Sequence, residues 1–202
     1  MALGGEDRQA AARDKILRAC WELAREHGLS GFTMRQIAAA VGVRAPSLYT
    51  YFTSKHAIYD AMFAEGNAAF RDAVLAVPSS ANRREQLRAA AAAFVRFCVA
   101  DPVRFQLLFQ RTLPGFQPSP RSYAPAVEAL EAMRAAFAHV GITRPDHLDL
   151  WTALVTGLAS QQLANDPAGD RWIRLTDAAA DMFVALLDQA GAGRTEPGAE
   201  DL

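Results

Sequence analysis

The spacing of apolar positions along the chain predicts helices almost throughout. Apolar residues recur every three or four positions, and the alternating Val-, Ile- and Thr-rich runs typical of strands are missing. The first predicted helix covers residues 10–27 and ends at Gly28. Two very short helices follow, at 34–41 and about 45–52, and a long fourth helix ends before Pro78.

The rest of the chain continues the same pattern. Further helices are predicted to run from Asn82 to about residue 100, from Asp101-Pro102 for about ten residues, and over 122–140, 144–165 and 170–190. The expected fold class is therefore all-α, with about nine helices. We expect residues 10–55 to form a small head, with a linking helix to about residue 70, residues 56–190 to form a helical body, and residues 191–202 to be frayed.

Composition narrows the class of protein. The 202 residues are 51% hydrophobic and 21% charged, which is typical of a globular chain. No apolar run is long enough for a membrane span, and the N-terminus lacks the apolar core of a secretory signal. Cys20 and Cys98 are far apart and outside any metal-ligand spacing, so we expect buried thiols in a cytoplasmic protein.

The net charge of −1 hides an asymmetry. The first 55 residues carry eight bases and five acids, whereas the remainder carries 13 bases and 17 acids. Between Gly28 and Lys55 the only charged residues are Arg35, Arg44 and Lys55. A basic segment on an acidic body is typical of a module that binds a polyanion.

Residues 33–55, TMRQIAAAVGVRAPSLYTYFTSK, have the layout of a helix-turn-helix. Neither short helix is stable alone, so each depends on packing by residues such as Ile37, Leu48 and Phe52. The second short helix then presents short polar side chains and an aromatic ring outward, which favours close approach to a surface. Tyr51 fits either core packing or a backbone contact.

This segment resembles the DNA-binding domain of TetR/AcrR-family transcriptional regulators. The family core "IA..GV....LY.YF..K" is met by residues 37–55, and the likeness extends over about residues 10–70. The resemblance implies a homodimer that binds a palindromic double-stranded DNA operator, and a body that binds a small effector.

The resemblance also implies roles for individual residues of the head. Contacts with phosphates are expected from Thr33, Tyr49 and Lys55. Contacts with base edges are expected from Arg44 and Ser47, and Ala45 or Pro46 would touch a thymine methyl group. Arg35 would either bind a guanine edge or hold a phosphate. Thr50 lies on the same outward side of the second short helix.

The body contains no catalytic signature in its sequence, so we expect neither an enzyme nor a metal or cofactor. Its aromatic residues indicate either a helical core or an apolar ligand pocket with a few polar groups. The pocket residues predicted on this basis are Phe94, Phe97, Phe105, Phe109, Phe116, Phe137, Trp151 and Gln161. Gln106, Gln110 and Arg111 are alternatives to Gln161 as the source of its polar groups. The Pro-rich stretch 113–121 would be its lid or entrance.

The segment around Trp151 and Gly157 is similar to the C-terminal domain of a TetR subgroup marked by a Trp, His, Gly pattern. Thr156 stands where that subgroup has His. The last two helices resemble the family's dimer-forming pair. The interface residues predicted there are Leu154, Leu158, Met182 and Leu186.

The function expected from these observations is a ligand-responsive regulator, most simply a repressor released from DNA by a small apolar or amphipathic effector. One alternative is a constitutive DNA-binding regulator without a ligand. Another is a helical ligand-binding or catalytic body with a vestigial head. Thr33, Arg35, Tyr49 and Lys55, all in place, argue against the vestigial head.

Overall fold

The computed structural model describes residues 4–192, which are helical for most of their length and contain no strand in that range. The helices are α1 (Gly5–His27), α2 (Met34–Val41), α3 (Ala45–Leu48), α4 (Lys55–Leu75), α5 (Arg83–Ala100), α6 (Pro102–Phe109), α7 (Pro120–His139), α8 (Pro145–Asn165) and α9 (Thr176–Ala192), with one 3-10 turn at Ile173–Leu175. The all-α prediction is confirmed. Within this range no helix has both the length and the apolar character needed to span a membrane.

The described residues divide into two compact units. The first comprises the chain up to Arg71 together with Asp101–Ala129, and the second comprises Asp72–Ala100 together with the chain from Leu130. Each unit has its own apolar core. The predicted assignment of residues 10–55 and 56–190 to functional domains stays a prediction, and the tail beyond residue 192 lies outside the described residues.

Local capping explains most helix ends. Thr33, Ser54 and Asp101 accept hydrogen bonds from backbone N–H groups in the first turns of α2, α4 and α6, as expected for N-cap side chains. Asn82 accepts from the N–H groups of residues 84 and 85 at the start of α5. Both cysteines are buried, as predicted.

Three helix bounds differ from the prediction. The first helix begins at Gly5 rather than at residue 10, because Asp7 accepts a hydrogen bond from the N–H of Gly4 and completes an earlier cap. The third ends at Leu48, and its last residues continue as tight turns to Phe52. The seventh begins at Pro120, because the Ser119 hydroxyl accepts from the N–H of residue 122.

The start of α9 is a further correction, since that helix begins at Thr176 and not at residue 170. The cause is the side chain of Gln162, which is 1% exposed. Its Nε2 donates to the carbonyls of Asp166 and Gly169, and its Oε1 accepts from the N–H groups of Trp172 and the following residue. This one amide therefore takes up the backbone groups of the loop and holds it out of the helix.

The Gln162→Ala variant should lower the free energy of unfolding by about 2–3 kcal/mol, because several buried backbone groups lose their partner. Urea unfolding of the purified protein measures this. Gln161→Ala is the matched control, since Gln161 is exposed and accepts only from Asn165, and its effect should stay within about 0.5 kcal/mol. Equal losses in the two variants would contradict this role of Gln162.

Candidate nucleic-acid interface and ligand cavity

The turn between α2 and α3 is built from local hydrogen bonds and one glycine. At the start of α2, the Thr33 hydroxyl and the Gln36 side chain cap each other's backbone. At its end, Gly42 has a φ of 76°, a left-handed conformation that glycine adopts without strain. The N–H groups of Gly42 and Val43 bond back to α2 and fix where α3 begins.

The next element, α3 with its following turns, separates its side chains into two sets. Leu48 and Phe52 are buried in the core of the first unit, whereas the predicted DNA-contacting side chains point to solvent. We call that exposed set the reading face; it consists of Arg44, Pro46, Ser47, Tyr49 and Thr50.

The remaining residues predicted to contact DNA differ from the reading face in their exposure or in the helix that carries them. Ala45 and Tyr51 are half-buried against the core, so Tyr51 takes the packing side of the alternative left open by the sequence. Thr33 and Arg35 are exposed at the start of α2. The Thr50 hydroxyl donates to the carbonyl of Ser47 at 2.7 Å.

Two cations of α1 hold the ends of the short helices. The Lys15 ammonium donates to the Val41 carbonyl at the end of α2, at 2.9 Å. The Arg13 guanidinium donates to the Tyr51 carbonyl after α3 and lies 4.2 Å from the centre of the Phe52 ring. Positive groups at helix C-termini satisfy orphan carbonyls and complement the helix dipole. These contacts fix α2 and α3 against α1.

The N-terminal half of α4 holds the turn before α2. Lys55 donates to the Ser30 carbonyl at 3.2 Å and lies 4.4 Å from the centre of the Phe32 ring. Burial lowers the pKa of Lys55. The buried Tyr59 hydroxyl donates to the Leu29 carbonyl, and burial raises its pKa to about 12, so that it stays a donor at neutral pH. The predicted phosphate contact Lys55 thus also has a structural role.

A cavity of about 880 Å³ lies wholly within the first unit. Its walls come from α4, from the end of α6, from the loop after α6 and from the start of α7. They are lined by Phe63, Leu107, Leu108, Phe109, Arg111, Thr112, Leu113, Pro114, Gly115, Phe116, Gln117, Pro118 and Tyr123. The volume and the apolar lining are in the range of pockets for small molecules.

Phe116 connects the cavity to α4. Its ring lies 5.9 Å from that of Tyr59 and 6.2 Å from that of Phe63, both in edge-to-face geometry. Tyr59 in turn meets Phe32 at 5.9 Å and holds Leu29. A cavity wall and the turn before α2 therefore contact the same tyrosine.

Asp60 of α4 binds the end of the loop between α6 and α7. Its carboxylate accepts from the N–H of Ser119 at 2.7 Å and from the hydroxyls of Ser119 and Ser122 at 2.9 and 2.7 Å. Burial alone would raise the pKa of Asp60, but these hydrogen bonds together hold it below its usual value. The start of α7 is thereby attached to α4 beside the cavity.

The structure separates the predicted pocket residues into two groups. Phe109 and Phe116 line the cavity, and Phe105 is buried close by on α6, 5.8 Å from Phe109. The others belong to the second unit: Phe94 and Phe97 are half-buried on α5, Phe137 and Trp151 pack 5.4 Å apart in its core, and Gln161 is exposed on α8. The Pro-rich stretch forms much of the cavity wall.

The predicted interface residues lie on the surface of the second unit. On α9, Met182 is 68% and Leu186 is 44% exposed, whereas Leu154 and Leu158 on α8 are half-buried. Leu150, not singled out from the sequence, is 51% exposed on α8.

Several functional residues escaped the sequence analysis. Arg13 and Lys15 lie on α1, 38 and 26 positions from the carbonyls that they cap, and no local signal marks such a contact. Tyr59 lies within the region of family resemblance, about residues 10–70, but the Leu29 carbonyl to which it donates is 30 positions away. Asp60 lies 59 positions before Ser119. Their roles depend on long-range packing.

Comparison with known proteins identifies the first segment of the chain. Residues 16–62 match the model of the tetR family of bacterial regulatory proteins. The chain is 38% identical over 50 residues to the class C tetracycline repressor of Escherichia coli, an alignment that covers 25% of this chain and only 23% of that protein. It is 25% identical over 162 residues to the class A repressor from transposon 1721 of the same organism, covering 77% of this chain and 69% of that protein.

Solved structures share the fold over most of the chain. A tetR-family transcriptional regulator from Streptomyces coelicolor has a TM-score of 0.71 at 20% identity, covering 94% of this chain and 84% of its own. The regulator FadR from Bacillus subtilis, solved in complex with stearoyl-CoA, has a TM-score of 0.63 at 17% identity, covering 85% and 97%. At such identities these likenesses show the fold alone.

The Arg13→Ala variant should lower the free energy of unfolding by about 2 kcal/mol, because a charge-assisted hydrogen bond and a cation–π contact are lost together. Chemical denaturation measures this, and the reading-face region should show faster amide exchange. Arg8→Ala removes a charge from an exposed position of the same helix and should change stability by less than about 0.5 kcal/mol. If both variants behave alike, Arg13 does not hold α3.

Proposed function

We propose that this chain, whose residues 16–62 match the tetR family model, is a repressor of that family that binds a palindromic operator as a homodimer and is released by a small effector. The observation that carries the proposal is the division of α3. Its apolar side chains are fixed in the core, which leaves the reading face free to meet a surface.

Charge supports DNA as that surface. Arg35, Arg44 and Lys55 are the only charged residues of the segment from Gly28 to Lys55, so that no carboxylate of this segment opposes a phosphate. Thr33 and the first N–H groups of α2 suit a phosphate oxygen. With the reading face in a major groove, Arg44 and Ser47 would be the side chains presented to base edges.

The exposed apolar side chains of α9 in the second unit support a homodimer. On α9, Phe183 and Leu187 face the core and Asp181 pairs with Arg88 of α5. Met182 and Leu186 are left on a third side, four residues apart and exposed. An isologous contact through this side would form a four-helix arrangement and give the two-fold symmetry that a palindrome requires. The two recognition helices would then lie about 34–36 Å apart.

The effector is proposed to bind in the cavity of the first unit. Its lining, in which aromatic and Leu side chains stand beside polar surface of nearly equal extent, suits an amphipathic molecule better than a wholly apolar one. The complex of the related fold of FadR with stearoyl-CoA is a precedent for an amphipathic ligand in such a protein.

Release follows if the ligand favours one of two arrangements of the head. Movement of Phe116 would change its packing on Tyr59, and Tyr59 holds the turn at Leu29 that leads into α2. Because α4 begins at the head and carries the cavity wall, it is the element that both sites contact. The shift equals the difference in ligand affinity between the two arrangements.

Fluorescence anisotropy on DNA from the upstream region of the gene, with a scrambled duplex at the same salt, tests operator binding. We expect the natural duplex to bind about 10³-fold more tightly or better. Arg35→Ala should cost about 1–3 kcal/mol on that duplex and much less on the scramble, because a base contact is specific to sequence. Arg121→Ala, an exposed arginine on α7, is the control and should change neither.

Equal loss on both duplexes would reduce Arg35 to a phosphate contact. Equal binding of the unmodified protein to both duplexes, and failure to enrich any sequence from a random library, would contradict the repressor.

The Met182→Glu variant should weaken dimerisation by about 10-fold or more, because a charge replaces an apolar side chain at a desolvated contact. Sedimentation analysis over a concentration series measures this. Leu75→Glu is the control: Leu75 is 63% exposed on α4 and should leave the dimer intact. An unchanged dimer in the Met182 variant would move the interface elsewhere.

A further inference from the structure

The cavity of the first unit is uneven in its chemistry. Four aromatic rings, from Phe63, Phe109, Phe116 and Tyr123, and several Leu and Pro side chains form most of its lining. Thr112 and Gln117 are the neutral polar side chains. The single charged residue among those that line it is Arg111, and none of them carries a carboxylate.

Arg111 occupies a constrained position. Its φ of 41° lies in the left-handed region, and it is the only residue other than glycine with a positive φ among those described. Residues held in that region persist where the surrounding structure fixes them, and they cluster at ligand-binding sites. Arg111 is exposed, and within the described range it forms no ion pair.

Asp60, an acid of the adjoining part of α4, is already engaged. The carboxylate of Asp60 accepts three hydrogen bonds from Ser119 and Ser122. It is not among the residues that line the cavity. Nothing in the lining therefore neutralises the Arg111 guanidinium, which in the open cavity is neutralised only by solvent and its ions.

A ligand that fills the cavity displaces the solvent on the cavity side of Arg111. Covering a guanidinium with an apolar neutral molecule leaves a charge without a partner, which is unfavourable, and a cationic molecule would be repelled. An anion at the same place forms a charge-assisted, often bidentate, hydrogen-bonded pair with arginine.

We propose that the cavity selects an organic acid, ionised at neutral pH, whose apolar or aromatic body lies against the rings of Phe63, Phe109 and Phe116 and whose anionic group pairs with Arg111. This inference rests on the proposed function for its regulatory meaning, but the binding itself is measured without DNA. Arg111 is thus assigned as the residue that determines the charge of the ligand.

Two fluorescent probes with nearly the same rings test the charge preference. Anilinonaphthalene sulfonate is an anion, and phenylnaphthylamine is its neutral counterpart; both become brighter in apolar surroundings. The full-length protein is titrated with each probe. We expect the anion to bind at least about 10-fold more tightly than the neutral probe.

Variants test whether Arg111 is the residue that pairs with the anionic probe. Arg111→Gln should weaken binding of the anion by about 10-fold and leave the neutral probe nearly unchanged. Arg121→Gln removes an exposed arginine that does not line the cavity and should alter neither. Arg111→Gly removes the charge and relieves the backbone conformation, so it should match the Gln variant in anion binding while the protein remains folded by circular dichroism.

Equal affinity for the two probes, no binding of either, or equal losses in the Arg111 and Arg121 variants would overturn the proposal. Displacement of the anionic probe by dodecanoate but not by 1-dodecanol would extend it to carboxylates, whereas displacement by both alike would count against it. The operator measurement is separate: anion binding that depends on Arg111 without any effect on DNA affinity supports the site and contradicts effector release.

Discussion

The recognition element of this protein cannot hold its own shape. α3 has four residues by its helical hydrogen bonds, far fewer than an isolated helix requires. Its orientation therefore depends on Leu48 and Phe52 in the core, on the Gly42 turn, and on Arg13 of α1 at its far end. Each of these contacts is made by the protein to itself, so the reading face is preorganised before any partner is met.

Helix α4 contacts both the segment that leads into α2 and the loop that encloses the cavity. Its first turns hold the segment before α2 through Lys55 and Tyr59, while Asp60 and Phe63 hold the loop and helix that enclose the cavity. Residues of the head and residues of the cavity wall belong to one apolar core, which includes Leu29, Tyr59 and Leu113. When a ligand fills the cavity, a ring of its wall has only its packed neighbours in this core to move against. This is the physical basis on which a ligand could influence DNA binding, and it requires no contact between ligand and head.

The parts that the sequence predicted well are those specified within a few residues. The predicted bounds of the second helix, 34–41, and the predicted restart at Asp101-Pro102 each depend on a side chain or glycine next to the bond that it makes. The helix-turn-helix followed from such signals together with the family resemblance.

The cavity was harder to predict, because an aromatic residue in a core and one in a pocket wall have the same helical spacing. Phe116 faces the cavity whereas Phe137 and Trp151 fill the core of the other unit, and only long-range packing separates them. Gln161, predicted as a polar pocket residue, is exposed on α8 of the second unit, next to the buried Gln162. Gln161 and Gln162 differ by about 100° around the helix, and the buried one serves the following loop rather than a ligand.

Whether a change in the cavity wall affects the packing of the head can be tested without knowing the ligand. Amide hydrogen exchange is compared between the unmodified protein and Phe116→Ala, which removes a ring of the cavity wall and its contact with Tyr59, with exchange followed along the whole chain. The account predicts faster exchange both in the loop around residues 110–118 and in residues 29–52, including the turn held by Tyr59. Faster exchange confined to the loop and its neighbours on α6 and α7, with residues 29–52 unchanged, would contradict it.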